Sequence, residues 1–571
     1  MNIVLKNPPF LFQLLILCTA IVSAKAQNNS ELSYHSQKKI ICRNGAVVSA
    51  HPLASQAGIQ ILKAGGNAVD AAITTQLVLA VVYPGAGNIG GGGFFIAHLS
   101  DKKNLAFDFR EKAPAAASRN MYLDSNENVL PGKSEDGHIA AGVPGTVAGI
   151  FAYYKYARLP FKKLIQPAID LAEKGFRITA AEASDLNEYQ KDFKKYNSVE
   201  PVFVRPSGWK PGDILVQKDL AKTLRRIRDN GAKGFYEGET ARLIVEEMAR
   251  GKGLISYADL KNYEAKERQP VNFTYKKNYT LLTMPLPSAG GVLLPQMMRM
   301  VEDRDLKQYG FETVQSVHLM AEVERRAYAD RAKYLGDPDF FKVPVNRLIS
   351  YPYITARMKN FNKDSAGNSD SIKAGNIPES EETTHLDTYD RNGNCVSITT
   401  TLNGGYGSRT VVAGAGFLLN NEMDDFSIKP GVPNMYGAVG GEANAIMPGK
   451  RMLSSMTPTI VLFKGNPFLV LGTPGGTTIT TSVFQTLIDI IEFDMNVSDA
   501  VNKPKFHHQW YPDILYVEKG FPKPVILQLQ NMGYHVEERE PIGRTEVIRI
   551  SPSGEIEAVA DWRGDDSASG Y

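Results

Sequence analysis

Cysteine is nearly absent from this chain: Cys18, Cys42 and Cys395 are the three in 571 residues. Cys18 falls in the N-terminal leader described below, and two remaining cysteines cannot make a disulfide framework for an exported protein of this length. Neither of them has the neighbours of a metal site, and none is expected. Charge of one sign is lacking too. Sixty-four Lys and Arg face 61 Asp and Glu, a net +3, which removes the electrostatic argument for a nucleic-acid partner. Past the leader, no segment approaches the roughly 18 unbroken apolar residues of a membrane span. Internal repeats, composition-marked linkers and an obvious Ser/His/Asp triad are also missing.

What is present reads as a leader followed by one large globular unit. Lys6, the apolar run from Phe10 to Val22 and Ala24-Lys25-Ala26 form an export signal over residues 1–26. The mature chain would be periplasmic or secreted. Forty-three per cent hydrophobic and 22% charged residues then suit an ordinary globular core. His51-Pro52 opens a helix that Gly65-Gly66 ends, and Asn67 caps a second, Ala68 to Val82, apolar all round and therefore buried. Gly85 to Gly90 spells a dinucleotide-type G-x-G-x-x-G. It follows a helix and precedes a strand, the wrong order for phosphate binding, so close backbone packing is expected instead. Asp108-Phe109-Arg110-Glu111 closes the strand that begins near Leu105. Val314 to Tyr334 reads as a helix with one charged and one apolar face. His507 and His508 would point to opposite sides of a strand, so they do not converge on an ion.

The chain is organised around Glu381-Glu382-Thr383-Thr384-His385-Leu386-Asp387-Thr388-Tyr389. An Asp390–Asn394 turn joins it to Cys395–Leu402, a hairpin pattern. The stretch 360–382 is polar and aperiodic, and reads as an exposed, mobile loop. Thr is an ordinary strand residue. At the junction of loop and strand, however, cutting Glu382–Thr383 would turn it into a chain-terminal nucleophile. Downstream come Gly404-Gly405-Tyr406-Gly407-Ser408, Leu418 to Phe426 (LLNNEMDDF), Leu453-Ser454-Ser455-Met456-Thr457-Pro458-Thr459 and Gly472-Thr473-Pro474-Gly475-Gly476. This ordered series resembles the γ-glutamyltranspeptidase family of N-terminal-nucleophile hydrolases, from about Ala46 to the C-terminus.

The resemblance implies an α/β (α+β) fold, a four-layer αββα sandwich. It would be built from residues 27–382 and 383–571 after the precursor cuts itself, the two pieces staying together as a heterodimer. It implies γ-glutamyl donors such as glutathione, amino-acid or peptide acceptors, and no cofactor. Thr383 would be the nucleophile, Thr401 its hydrogen-bonding partner, and Gly475 and Gly476 the oxyanion donors. Asn403, Glu422 and Asp425 would take the substrate ammonium, while Arg110, Ser454 and Ser455 would take its carboxylate. Tyr436, in the Pro- and Gly-rich stretch 430–441, would close a lid. Asp424 is expected to be structural. Asp387 departs from the serine common in the family at that place. A cephalosporin (glutaryl) acylase of the same superfamily and an inactive surface-binding homologue are the competing readings.

Overall fold

The computed structural model describes residues 34–372, 383–429, 441–539 and 541–571. Two mixed-order antiparallel sheets of seven strands each stack face to face. The first runs Ser567–Gly570, Gly45–Ser49, Thr384–Asp390, Cys395–Thr401, Gly92–His98, Asn104–Asp108, Lys266–Arg268. The second runs Lys39–Cys42, Ile556–Val559, Glu546–Ile550, Asn466–Gly472, Thr459–Phe463, Tyr279–Thr283, Val271–Tyr275. Alternation along the strands separates the faces. Ala46, Val48, Phe94 and Ile96 of the first sheet meet Leu282, Ile460, Val470 and Ile548 of the second in a core between the sheets.

Helices cover both outer faces and complete four αββα layers. On the first sheet lie Pro52–Lys63 and Ala68–Val82. The sequence predicts both closely. His51 accepts the Leu53 amide as N-cap, Asn67 and Asp70 form a capping box, and every residue of Ala68–Val82 is buried. On the second sheet lie Gly290–Val301 and Thr478–Ile491, and Val314–Tyr334 packs against Gly290–Val301 in the same layer. The 85–90 glycines pack as expected. A Cβ on Gly87 would sit 2.1 Å from the Leu79 carbonyl oxygen, and one on Gly90 2.1 Å from that of Leu418. Among the described residues no helix is long and apolar enough to cross a membrane.

Two expectations need correction. The helix Val314–Tyr334 has no solvated charged face: Glu322, Glu324, Arg325, Arg326, Asp330 and Arg331 are all buried. Their charges are met by other elements, which periodicity cannot foresee. The stretch after Asn360 is also less exposed than its polarity suggests. Ser369 and Ile372 are buried, Trp510 Nε1 donates to both their carbonyls at 3.0 and 2.8 Å, and Arg325 donates to Ser369 Oγ at 2.6 Å. Residues 373–382, the rest of that stretch, lie outside the described residues.

Candidate active site

Thr383 stands at the mouth of the sandwich, immediately before the strand Thr384–Asp390, and is 6% exposed. Its strand is held centrally, pairing with Gly45–Ser49 on one side and with Cys395–Thr401 on the other. Thr401 closes the neighbouring strand, so the hairpin register brings the two threonines to one end. Thr401 Oγ1 accepts the Asn403 amide at 2.7 Å. Asn88, from the glycine-rich turn, donates to the Thr401 carbonyl at 2.9 Å and fixes the strand end. Asn403 itself has φ 76°, and its side chain donates to the Asn421 carbonyl at 3.1 Å.

A small pocket of about 20 Å³ is lined by Thr383, Thr401, Asn403, Arg110, Asp425, Ser454, Ser455 and Gly476. That is room for about one water molecule. Every site residue predicted from sequence lies on or beside it, except Tyr436, which with 430–440 lies outside the described residues. Glu422 reaches it through Arg110. Gly475 precedes Gly476, with φ 128° and 56° respectively. Glycine is required at 475, since a Cβ there would lie 2.5 Å from Thr478 Oγ1. The carbonyls of Gly475 and Gly476 accept the Thr478 and Ile479 amides at 3.0 and 3.2 Å. The glycine loop therefore leads into the N-terminus of the helix Thr478–Ile491, an end that favours negative charge.

Arg110 follows its strand at Asp108 and is buried, with Tyr263 Oη donating to its carbonyl at 2.7 Å. Its guanidinium pairs with Asp425 and Glu422 and sits 3.4 Å from Glu111. Burial opposes its charge, but Glu422, Asp425 and Glu111 outweigh it and raise its pKa. Glu111 is pushed up to about 7 and Glu422 is also raised, each by burial against the pull of Arg110. Three carboxylates thus share one guanidinium. Asp425, partly open to the pocket, presents its carboxylate to a ligand. Asp424 instead accepts from Ser134 Oγ, away from the pocket lining. Glu111 was not among the predicted site residues. Its place directly after Arg110 was the available signal.

Asp387 lies two residues beyond His385 on the same face as Thr383, as alternation predicts. His385 is 3.0 Å from Asp387 Oδ1 and 2.9 Å from Thr399 Oγ1, all of them buried between the sheets. Burial raises the Asp387 pKa, and His385 opposes the rise. His507 and His508 are structural: His507 bonds Thr481 and Gln509, and His508 faces Asp513. Among the described residues no group of three or more His, Cys, Asp or Glu could hold a metal ion.

A threonine at the head of a central strand, in an αββα sandwich, defines the N-terminal-nucleophile hydrolase fold. The match of residues 54–571 to the family model described as Gamma-glutamyltranspeptidase shows that the chain belongs to that family. A glutathione hydrolase proenzyme of Escherichia coli (strain K12) is 44% identical over 535 residues, covering 93% of this chain and 92% of that one. The crystal structure of Helicobacter pylori gamma-glutamyltranspeptidase is 46% identical, with TM-score 0.56, covering 57% of this chain and 94% of that chain. A cephalosporin acylase from Bacillus halodurans is 26% identical, with TM-score 0.82, over 95% of this chain and 99% of that chain.

Proposed function

We propose that the protein is a γ-glutamyltransferase and glutathione hydrolase, made as a precursor that cuts itself between Glu382 and Thr383. The observation that carries this reading is one pocket joining Thr383 and the glycine loop to Arg110 and its surplus of carboxylates. A γ-glutamyl group brings one α-carboxylate and one α-ammonium. Its carboxylate can replace Asp425 on Arg110, while its ammonium takes the carboxylates so released. The exchange keeps the buried charges paired, which is the condition for holding them at all. A glutaryl group has no ammonium to offer, which argues against the acylase alternative despite the fold similarity.

Before cutting, Thr383 has no free amine. Its hydroxyl attacks the Glu382 carbonyl, the peptide bond becomes an ester, and water opens it. Residues 27–382 and 383–571 then remain together through their shared sheets, because Thr384–Asp390 lies between Gly45–Ser49 and Cys395–Thr401. The proenzyme name of the E. coli relative supports synthesis as a precursor. In the mature enzyme the Thr383 α-amine, with an ordinary pKa of about 7.7–8, takes the hydroxyl proton as Oγ attacks the γ-carbonyl. The oxyanion meets the Gly475 and Gly476 amides beside a helix N-terminus. The departing amine takes the proton. The γ-glutamyl ester on Thr383 then passes to water or to the amine of an amino acid or peptide. Asn403, Glu422 and Asp425 hold the ammonium; Arg110, Ser454 and Ser455 hold the carboxylate; Thr401 orients Thr383. Leader 1–26 would direct export and then be removed, and Tyr436 would cover the acyl-enzyme. A chromogenic γ-glutamyl anilide, assayed with and without a dipeptide acceptor, tests the reading. Release should accelerate with the acceptor, and no release from the processed protein contradicts the proposal.

A further inference from the structure

Arg331 lies within the buried run of Val314–Tyr334 and has none of the roles assigned above. Its Nη2 donates to Ser455 Oγ at 3.2 Å. The Ser455 backbone is fixed independently, its carbonyl accepting the Thr457 and Thr480 hydroxyls at 2.7 and 3.3 Å. Tyr328, three residues earlier and so on the same side of the helix, donates its hydroxyl to the Thr477 carbonyl. That carbonyl directly follows Gly475-Gly476. One helix face therefore touches two walls of the pocket, the serine wall and the glycine loop.

Burial drives the Arg331 pKa down to about 10; Tyr328 and Asp425 pull it up, and Arg110 pushes it down. A second guanidinium within electrostatic reach of Arg110, in a dry wall, is costly to keep. Its hydrogen bond gives it a use. An arginine offers only donors, so a serine oxygen that accepts from it must direct its own proton elsewhere.

We propose that Arg331 is a positioning residue for the substrate α-carboxylate, holding Ser455 so that its hydroxyl donates into the pocket beside Arg110. The inference rests on the γ-glutamyl reading of the pocket. It adds a selection for carboxylate-bearing donors that Arg110 alone does not supply, since Arg110 enters the pocket already shared among three carboxylates.

A double-mutant cycle on the processed enzyme tests it. Arg331→Met should raise KM for a γ-glutamyl anilide about ten-fold and leave kcat within about two-fold, because the lost hydrogen bonds orient the donor and not the reacting carbonyl. Arg331→Lys, which keeps a charged donor, should fall between. In a Ser455→Ala background, Arg331→Met should add less than about two-fold, since the pair acts as one unit. Preference for the γ-glutamyl anilide over the 4-aminobutyryl anilide, which lacks the α-carboxylate, should drop by about the same ten-fold. Equal losses with both anilides, additive KM changes, or a loss confined to kcat would overturn the inference. If Arg331→Met does not fold, the same cycle run with Arg331→Lys decides it. Turnover of the γ-glutamyl anilide by the unaltered enzyme tests the proposed function separately.

Discussion

Among the buried arginine–carboxylate clusters of the described residues, two are balanced in opposite ways. In the helix Val314–Tyr334, Glu322 accepts from Arg325 Nε at 3.0 Å, from Arg326, from the Gly367 amide at 2.9 Å and from Tyr534 Oη at 3.1 Å. Burial alone would raise its pKa, yet Arg325 and Arg326 hold it down to about 2. Arg325 also pairs with Asp513, so two guanidinium groups meet two carboxylates; at the pocket the carboxyls outnumber the guanidinium. Arg110 faces Glu422, Asp425 and Glu111, and two of these carboxyls are pushed up. One cluster is complete and closed. The other crowds three carboxyls onto one guanidinium and borders a cavity. The contrast teaches that a buried ion pair by itself says little about function, whereas an unbalanced one beside a pocket describes its ligand.

Substitutions in the two clusters should therefore separate stability from catalysis. The largest effect is expected from Glu322→Ala, which leaves two buried guanidinium groups without their shared partner. Chemical denaturation should show a loss of about 3–5 kcal/mol. Asp425→Ala should instead raise KM for γ-glutamyl donors by the equivalent of about 2–5 kcal/mol. Its denaturation midpoint should stay near the parent's, because Arg110 retains Glu422 and Glu111. The comparison breaks if Asp425→Ala melts as Glu322→Ala does, or if its KM is unchanged.

Acid separates the clusters next. The folded pKa of Glu322 is depressed to about 2 from its ordinary value of 4.5. Its contribution is therefore present above pH 4.5 and is lost as pH falls through about 2. Denaturation across that window should be shallower in Glu322→Gln than in the parent, and parallel curves would remove Glu322 from the acid response. The smallest effect is expected at Glu111, whose raised pKa means that it ionises only as pH approaches about 7. Affinity for L-glutamate, which brings an ammonium, should rise with pH through that range. Calorimetry on Glu111→Gln should find a flatter profile, and an identical one would assign the titration to other groups.

The layered fold was legible because its elements declare themselves locally. Asn67 and Asp70 cap the apolar helix Ala68–Val82, and the turn at Asp390–Asn394 joins two β-prone runs. Thr383 and Arg110 became legible only through the family resemblance: strand pattern alone makes Thr383 an ordinary strand residue and Arg110 a solvated strand end, whereas Arg110 is buried. The misses share one cause: alternation tells which side of an element a residue faces, but not what another element brings to it. Arg331 and Glu322 read as members of a charged helix face, because Ser455, Gly367 and Tyr534 lie far away in sequence. The pairing of Arg110 with Asp425 was hidden for the same reason, although each was named as half of a substrate grip. Ser369 and Ile372 sat in a polar stretch with nothing local to announce Trp510. Asp387 was placed on the correct face, but its contact with His385 depends on side-chain geometry within the sandwich interior.

All of this depends on Thr383 acquiring a free amine, and the purified protein can be asked directly. Denaturing electrophoresis with N-terminal sequencing of each band should give two pieces, one of them beginning at Thr383. Thr383→Ala should remain one inactive chain. Thr383→Ser, which keeps a hydroxyl, should still cut. An active protein that stays a single polypeptide, or a new N-terminus at any residue other than Thr383, would contradict the account.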